Sequence, residues 1–392
     1  MAEKVLIIKY GEIAMRGNNK YIFINRLIAA IRRNIDPVGD YYVVRDPGRL
    51  IVEDRGGELD YDLLIPLVEP IFGLVGVCPG VRLPASLTYE ELMEEAYQFM
   101  LENHGEGACT FKVETRRSNK TIEKRSMDIS ADVGAYILDR MPDVKVDVRT
   151  PDVRLKVELR NSTYLYSHIV KTYGGLPYAS SGKAVSLLSG GIDSPVATWM
   201  MAKRGLEVEG VYFHSPPYTS EWAKQKVLDL SKRLADFTGE FKLYVVPFTE
   251  LQLYLLDNVA HDKLTIHLKR AMMRAGEMIA EQTDAMALIT GESVGQVASQ
   301  TMQGIHAIDA VCKLPVLRPL AGMDKHEIIT IAERIGTFEI SARPFEDCCT
   351  VFVAKHPVTK PRLRYIEKAE ERLTELDRLL DEAVKNAEVI MI

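Results

Sequence analysis

Cysteine is scarce and no charge of one sign dominates. The five cysteines among 392 residues stand at positions 78, 109, 312, 348 and 349, with neither the density nor the spacing of a disulfide framework or a zinc site. Reduced thiols are therefore expected. A net charge of −6 excludes a globally basic nucleic-acid binder, so any contact with RNA has to come from a local patch. No apolar run approaches the roughly 20 residues of a membrane helix. Met1-Ala2-Glu3-Lys4 opens directly into a strand-like run without the regions of a signal peptide, so a cytoplasmic protein without membrane contact is expected. What remains is ordinary globular composition, 47% hydrophobic and 27% charged, with length for two or three domains.

The most informative stretch runs from Ala184 to Met200. The apolar run Ala184 to Leu188 reads as a buried parallel strand, and Pro195 marks the first turn of a helix. Between them lies Ser189-Gly190-Gly191-Ile192-Asp193-Ser194. Two glycines let successive N–H groups point into one concavity, and the positive end of the helix lies behind it, so the turn suits a phosphate. No Gly-Lys-Ser/Thr follows, which excludes a Walker A loop. Alternatively, Gly-Gly only turns the strand into a helix capped by Asp193 or Ser194. The hexapeptide resembles the Ser-Gly-Gly-x-Asp-Ser pyrophosphate loop of ATP pyrophosphatases that cleave ATP between its α and β phosphates.

Upstream, the order is a strand over Val5 to Tyr10, a loop Arg16-Gly17-Asn18-Asn19, a helix over Lys20 to Ile35, a hairpin around Asp46-Pro47-Gly48, and a helix over Tyr61 to Val68. From 74 to 170 helices are expected over Thr88 to Asn103 and Ser126 to Arg140. Strands are expected over Cys109 to Thr115, Val153 to Leu159 and Tyr164 to Ile169. Both parts are α+β in pattern. The segment Phe111 to Arg125 holds six basic residues against two acidic, and Arg116, Arg117, Lys120, Lys124 and Arg125 can track phosphates or simply line a solvated loop. Gly, Ser and Pro gather over 171–183, the clearest linker. The expected domains are thus 1–73, 74–170 and 184–392.

Beyond the linker, strands and helices alternate, the signature of a doubly wound α/β parallel sheet with ligands at the carboxyl ends of its strands. Leu187, Leu188, Tyr212 and Phe213 can form an adenine slot, although Tyr212 and Phe213 serve equally as core. Lys269 and Arg270 are candidate cations for ATP, or the wet face of a helix. The stretch Gly291 to Thr301, rich in small and amide residues, suits close approach to a ligand or a helix cap. Arg343 to Phe352 reads as a loop carrying Cys348 and Cys349 beside Glu346 and Asp347, a site for thiol chemistry or a pair of structural cysteines. One amphipathic helix over Pro361 to Asn386 closes the chain.

Taken together, Gly11-Glu12-Ile13, Arg16-Gly17-Asn18, a basic domain like THUMP, Ser-Gly-Gly-Ile-Asp-Ser, Thr290 to Thr301 and Glu346-Asp347-Cys348-Cys349 resemble the tRNA 4-thiouridine synthetase (tRNA sulfurtransferase) family over nearly the whole chain. The resemblance implies a ferredoxin-like domain, a THUMP RNA-binding domain and a PP-loop catalytic domain of the adenine nucleotide alpha hydrolase-like fold. It implies that ATP, with Mg2+, adenylates O4 of the uridine at tRNA position 8 and that a cysteine persulfide, supplied by a cysteine desulfurase, then attacks C4. It puts the essential aspartate on Asp193 and the persulfide on Cys348, with Cys349 the near rival for the sulfur-bearing role, and either Cys349 or another thiol is expected to resolve the resulting disulfide. Nucleotide contacts fall on Leu187, Leu188, Ser189, Gly190, Gly191, Asp193, Ser194, Tyr212, Phe213, Lys269, Gly291 and Gln300. The tRNA is implied to meet Arg16 and the basic segment of the THUMP-like domain, in a homodimer. The rhodanese domain of long members, with its persulfide relay and its link to thiamine thiazole synthesis, has no counterpart in this sequence, so direct loading of Cys348 is expected. A small-molecule ATP pyrophosphatase shares the loop but needs neither the basic domain nor the cysteine pair. A tRNA-binding protein without catalysis is expected to have lost Asp193 or both cysteines.

Overall fold

A computed structural model describes residues 2–56, 59–84, 86–105, 107–118, 124–345 and 357–392. The chain divides into two compact units, Met1–Gly175 and Leu176–Ile392.

The first unit is built on one eight-stranded sheet. Its strands are β1 (Glu3–Tyr10), β2 (Tyr41–Asp46), β3 (Arg49–Asp54), β4 (Leu74–Leu83), β5 (Thr110–Arg117), β6 (Lys145–Val146), β7 (Val153–Leu159) and β8 (Thr163–Tyr166), in the order β2-β3-β1-β4-β8-β7-β5-β6. The two α+β parts therefore share a sheet, because β4 pairs antiparallel with β1 on one side and with β8 on the other. Alternation along β1 sends Leu6, Ile8 and Tyr10 to one face, where they pack with Leu27 and Ile31 of α1 (Lys20–Ile35) and Leu64 of α2 (Tyr61–Val68). A second core collects under α3 (Tyr89–His104) and α4 (Ser126–Arg140), around Phe99, Phe111, Val133 and Leu155. Helix α3 starts where the pattern says it should, because Thr88 accepts from the Glu91 amide while the Glu91 carboxylate accepts from the Thr88 amide. Val5 and Ile7, on the opposite face of β1, meet Cys78, Tyr164 and Tyr166. There Arg49 and Glu158 form a buried ion pair joined by the Tyr166 hydroxyl.

The Gly-rich 171–183 stretch is tied to a different unit at each end. Gly73 donates to Gly174 O at 2.8 Å and Gly174 to Leu74 O at 2.7 Å, while Leu176 donates to Lys203 O at 3.0 Å and Ser181 to Gly205 O at 2.8 Å.

The second unit holds a six-stranded sheet of β9 (Lys183–Leu187), β10 (Glu207–His214), β11 (Lys242–Pro247), β12 (Leu288–Ile289), β13 (Val316–Leu317) and β14 (Glu388–Met391), ordered β13-β12-β9-β10-β11-β14. All neighbours are parallel except β14, which runs antiparallel along β11. Order reverses at β9, with β10 on one side and β12 on the other, and this switch point opens a crevice at the strands' carboxyl ends. Helices α5 (Asp193–Lys203), α6 (Glu221–Thr238), α7 (Thr249–Asn258), α8 (Leu264–Gln282), α9 (Met302–Asp309), α10 (Lys325–Arg334) and α11 (Phe338–Ser341) accompany the sheet. The largest core gathers around α8, whose Leu268, Met272, Ala275 and Ile279 are buried against the sheet and the last helices.

The C-terminal stretch corrects the sequence reading. Instead of one helix over 361–386 there are two, α12 (Leu363–Glu370) and α13 (Leu376–Lys385), followed by β14. Across the break, Glu370 binds Arg270 while Leu376, Leu379 and Leu380 sit in the core.

Candidate active site

The loop between β9 and α5 is drawn closed by its own serines. The Ser194 hydroxyl accepts from the Ser189 amide at 2.8 Å and lies 3.1 Å from the Ser189 hydroxyl, which in turn accepts from the Gly191 amide at 3.3 Å. Asp193 is the first residue of α5, where the unpaired amides of the helix start favour negative charge. On the far side, Gly291 packs directly on this helix start. A Cβ there would lie 2.6 Å from the Ser194 amide nitrogen and 2.8 Å from the Asp193 carbonyl carbon.

Around the loop lies a cavity of about 220 Å3. Its lining brings together Leu187, Leu188, Ser189, Gly191, Asp193, Ser194, Tyr212, Phe213, Lys269, Gly291 and Gln300 from β9, α5, β10, α8 and the loop after β12. Gly190 belongs to the same turn but is not in the lining. Tyr212 and Phe213 are both cavity wall and core, since each is almost fully buried and Phe213 packs on Phe248 at 4.6 Å. Sequence reasoning missed the apolar floor of Met272, Met273 and Ile308, because a methionine pair on a buried helix carries no ligand signal.

The two candidate cations separate. Lys269 lines the cavity and donates to Glu292 at 2.9 Å. Arg270, one residue on, faces the other way and is bound to Glu370 by two nitrogens at 2.7 Å, with His267 Nδ1 3.2 Å from the same carboxylate. A helical turn of 3.6 residues places such neighbours on different faces. Glu292 also accepts from Arg318 at 2.9 Å, and Arg318 is held by Asp309. Burial alone would raise the Glu292 carboxyl, but the charges of Lys269 and Arg318 outweigh it and keep the group below the usual carboxylate range. The Asp193 carboxylate accepts from Gln296 Nε2 at 2.9 Å and from Lys325, 132 residues along the chain. Lys325 opens α10 after the Asp324–Glu327 capping box, a helix-start pattern that says nothing of a ligand.

Cys348, Cys349 and Lys120 lie outside the described residues. The flanks of the cysteine stretch are held at the cavity's edge. Ser341 donates to Gly191 O at 3.3 Å, and Thr359 O accepts from Thr301 at 2.6 Å, next to Gln300. Lys226 of α6 donates to Phe345 O at 2.6 Å. In the first unit Arg16 is exposed with its guanidinium 5.0 Å from the Phe23 ring, and Arg116 and Arg125 are exposed at the end of β5 and the start of α4. Arg117 is half-buried. Lys124 is exposed but paired with Asp132 at 2.7 Å, over the Tyr89 ring. The basic segment is thus part exposed surface and part internal pairing.

Three family patterns tile the chain: the ThiI ferredoxin-like domain over residues 5–78, the THUMP domain over 87–168, and the thiamine biosynthesis protein (ThiI) pattern over 179–375. A probable tRNA sulfurtransferase of Lachnoclostridium phytofermentans is 49% identical over 390 residues, which cover 99% of both chains. The chain belongs to the tRNA sulfurtransferase family. A second relative of the same description, from Acetivibrio thermocellus, is 48% identical and covers 100% of this chain and 99% of its own. Among solved structures, a 4-thiouridine synthetase–RNA complex with bound ATP superimposes with a TM-score of 0.89 at 38% identity, each chain covered in full. The fold also recurs in PH1313 of Pyrococcus horikoshii, with a TM-score of 0.65 at 22% identity over 85% of this chain and 99% of that one. Within this family the architecture is a PP-loop domain of α/β type preceded by ferredoxin-like and THUMP domains.

Proposed function

We propose that this tRNA sulfurtransferase makes 4-thiouridine at position 8 of tRNA in two steps, adenylation and sulfur substitution. A uridine carbonyl oxygen is a poor leaving group. ATP in the cavity lets O4 attack the α-phosphorus, so that an O–P bond forms, the bond to the β-phosphate oxygen breaks and pyrophosphate leaves. The observation that carries the reading is the closed Ser189–Ser194 loop at the start of α5, roofed by Gly291 and faced by Lys269 and Asp193 in one cavity. Its amides and the helix end hold phosphate, the floor of Met272 and Met273 suits adenine, and Lys269 meets the phosphate charge.

Among the described residues no group of three or more His, Cys, Asp or Glu side chains would hold a metal by itself. Magnesium takes one or two carboxylates and completes its shell with phosphates and water, and Asp193 is the loop carboxylate that fits this use. When bound it neutralises charge on the departing pyrophosphate.

In the second step a persulfide on Cys348, loaded by a cysteine desulfurase, attacks C4 and AMP departs. The outer sulfur is now bonded to C4, and Cys349 attacks the inner sulfur to release thiouridine and leave a disulfide, which an external thiol reduces. Support comes from the flanks of that stretch, fastened at Gly191 and beside Gln300. The basic surface of Arg16, Arg116, Arg117 and Arg125 is the proposed RNA footprint, a phosphate-tracking contact suited to A-form RNA. Incubation with tRNA, ATP, Mg2+, a desulfurase and cysteine should yield 4-thiouridine by nucleoside mass spectrometry, with AMP and pyrophosphate released only when RNA is present. RNA-independent release would favour a small-molecule pyrophosphatase. Cys348→Ala should keep pyrophosphate release and lose thiolation, and full thiolation in that variant would sink the persulfide assignment.

A further inference from the structure

A second cavity, of about 390 Å3, lies beside the first and is lined by the loop after β12 and the loop before α10. The two share a wall. Gln296 and Lys325 line the second cavity, and both hold the carboxylate of Asp193, which lines the first. The loops are fastened to each other, with Ser293 Oγ donating to Met323 O at 2.8 Å and the Val294 amide to Ala321 O at 3.1 Å. The floor is therefore built before any ligand arrives. Small residues leave it open, since a Cβ on Gly322 would meet nothing within 4 Å.

Gln296 adds a chemical preference. Only the NH2 end of its amide can donate to the Asp193 carboxylate, so the carbonyl end is left as an acceptor facing elsewhere. An acceptor here matches a pyrimidine whose ring N3 carries hydrogen, as uracil does, and mismatches cytosine, whose N3 is itself an acceptor.

We propose that this second cavity receives the uracil base to be modified, with Gln296 accepting from N3–H and O4 turned past Asp193 toward the nucleotide. The subsite rests on the adenylation reading above. On attack, O4 gains its bond to the α-phosphorus, pyrophosphate leaves with the electrons of the broken P–O bond, and the N3 proton passes to water.

Filling the cavity tests this. Gly322→Trp places a large ring in open space at a residue without positive φ and outside the nucleotide lining. RNA-dependent pyrophosphate release should fall about a hundredfold, the cost of misplacing a reacting group, while the dissociation constants for ATP and tRNA stay at wild-type values. Unchanged turnover in Gly322→Trp overturns the subsite. A wild-type protein that releases no pyrophosphate with RNA overturns the adenylation reading instead. Photocrosslinking decides independently if the tryptophan disturbs ATP binding. Wild-type protein with tRNA carrying 5-iodouridine at the modified position should crosslink to peptides containing residues 293–296 or 321–325, and crosslinks confined to other peptides overturn the proposal.

Discussion

Gly291 and Ser194 touch backbone to backbone: a single added carbon on Gly291 would come within 2.6 Å of the Ser194 amide nitrogen. Neither side of that contact can retreat, because Ser194 is fixed by Ser189 and Gly291 lies two residues past the end of β12, after Thr290, whose amide donates to Leu317 O at 3.1 Å. Gly291→Ala should therefore cost about 1–3 kcal/mol of overpacking and spread the Ser189–Ser194 loop. Calorimetry should show a lower melting temperature together with weaker ATP binding, and an unchanged pair of values would contradict this account.

Asp193 and Lys325 act on one another, so their substitutions should not add. Asp193→Asn and Lys325→Ala are each expected to lower RNA-dependent pyrophosphate release by about a hundredfold or more, and the double variant to be little worse than the poorer single one. A double-mutant cycle on pyrophosphate release measures this coupling. Multiplying losses would mean that the two side chains work separately.

Glu292 holds two cations at once in a buried position. Glu292→Gln leaves Lys269 and Arg318 without their shared carboxylate, a loss of about 3–5 kcal/mol for a broken buried ion pair. Urea unfolding of the full chain should show the drop. The KM for ATP should rise as well, because Lys269 loses the partner that aims it.

Acid should weaken the protein partly through Glu158. Burial would raise this carboxyl, but the Tyr166 hydrogen bond and the Arg49 charge prevail and hold it at about 2, against an ordinary 4.5. A depressed carboxylate stabilises the fold above its unfolded value, and that contribution is lost as pH falls from 4.5 through about 2. Urea midpoints measured across this window should fall with pH in the wild type, and fall less steeply in Glu158→Gln.

Local chemistry made much of this protein legible in its sequence. The helices over Lys20–Ile35 and Ser126–Arg140 follow from apolar spacing, and the strand-turn-helix at Ser189–Ser194 from two glycines between an apolar run and Pro195. The family resemblance added a set of expected nucleotide contacts, and the lining of one cavity gathers all of those residues except Gly190. Two-residue strands such as β12 and β13 are too short for periodicity to bound, and Glu370, the last residue of α12, is bound by Arg270, a hundred residues away.

Tertiary structure decided which charges meet. Nothing in the neighbourhood of Lys325 or Arg318 distinguishes them from surface cations. The sheet order brings β12 beside β9, and with it the loop carrying Glu292 and Gln296 against Asp193. Lys269 and Arg270 look alike in sequence, yet one faces the cavity and the other a buried carboxylate, because helix phase is set by packing and not by residue type. Sequence fixes what each segment can do alone. Partners far apart in the chain exist only once the sheet has put them side by side.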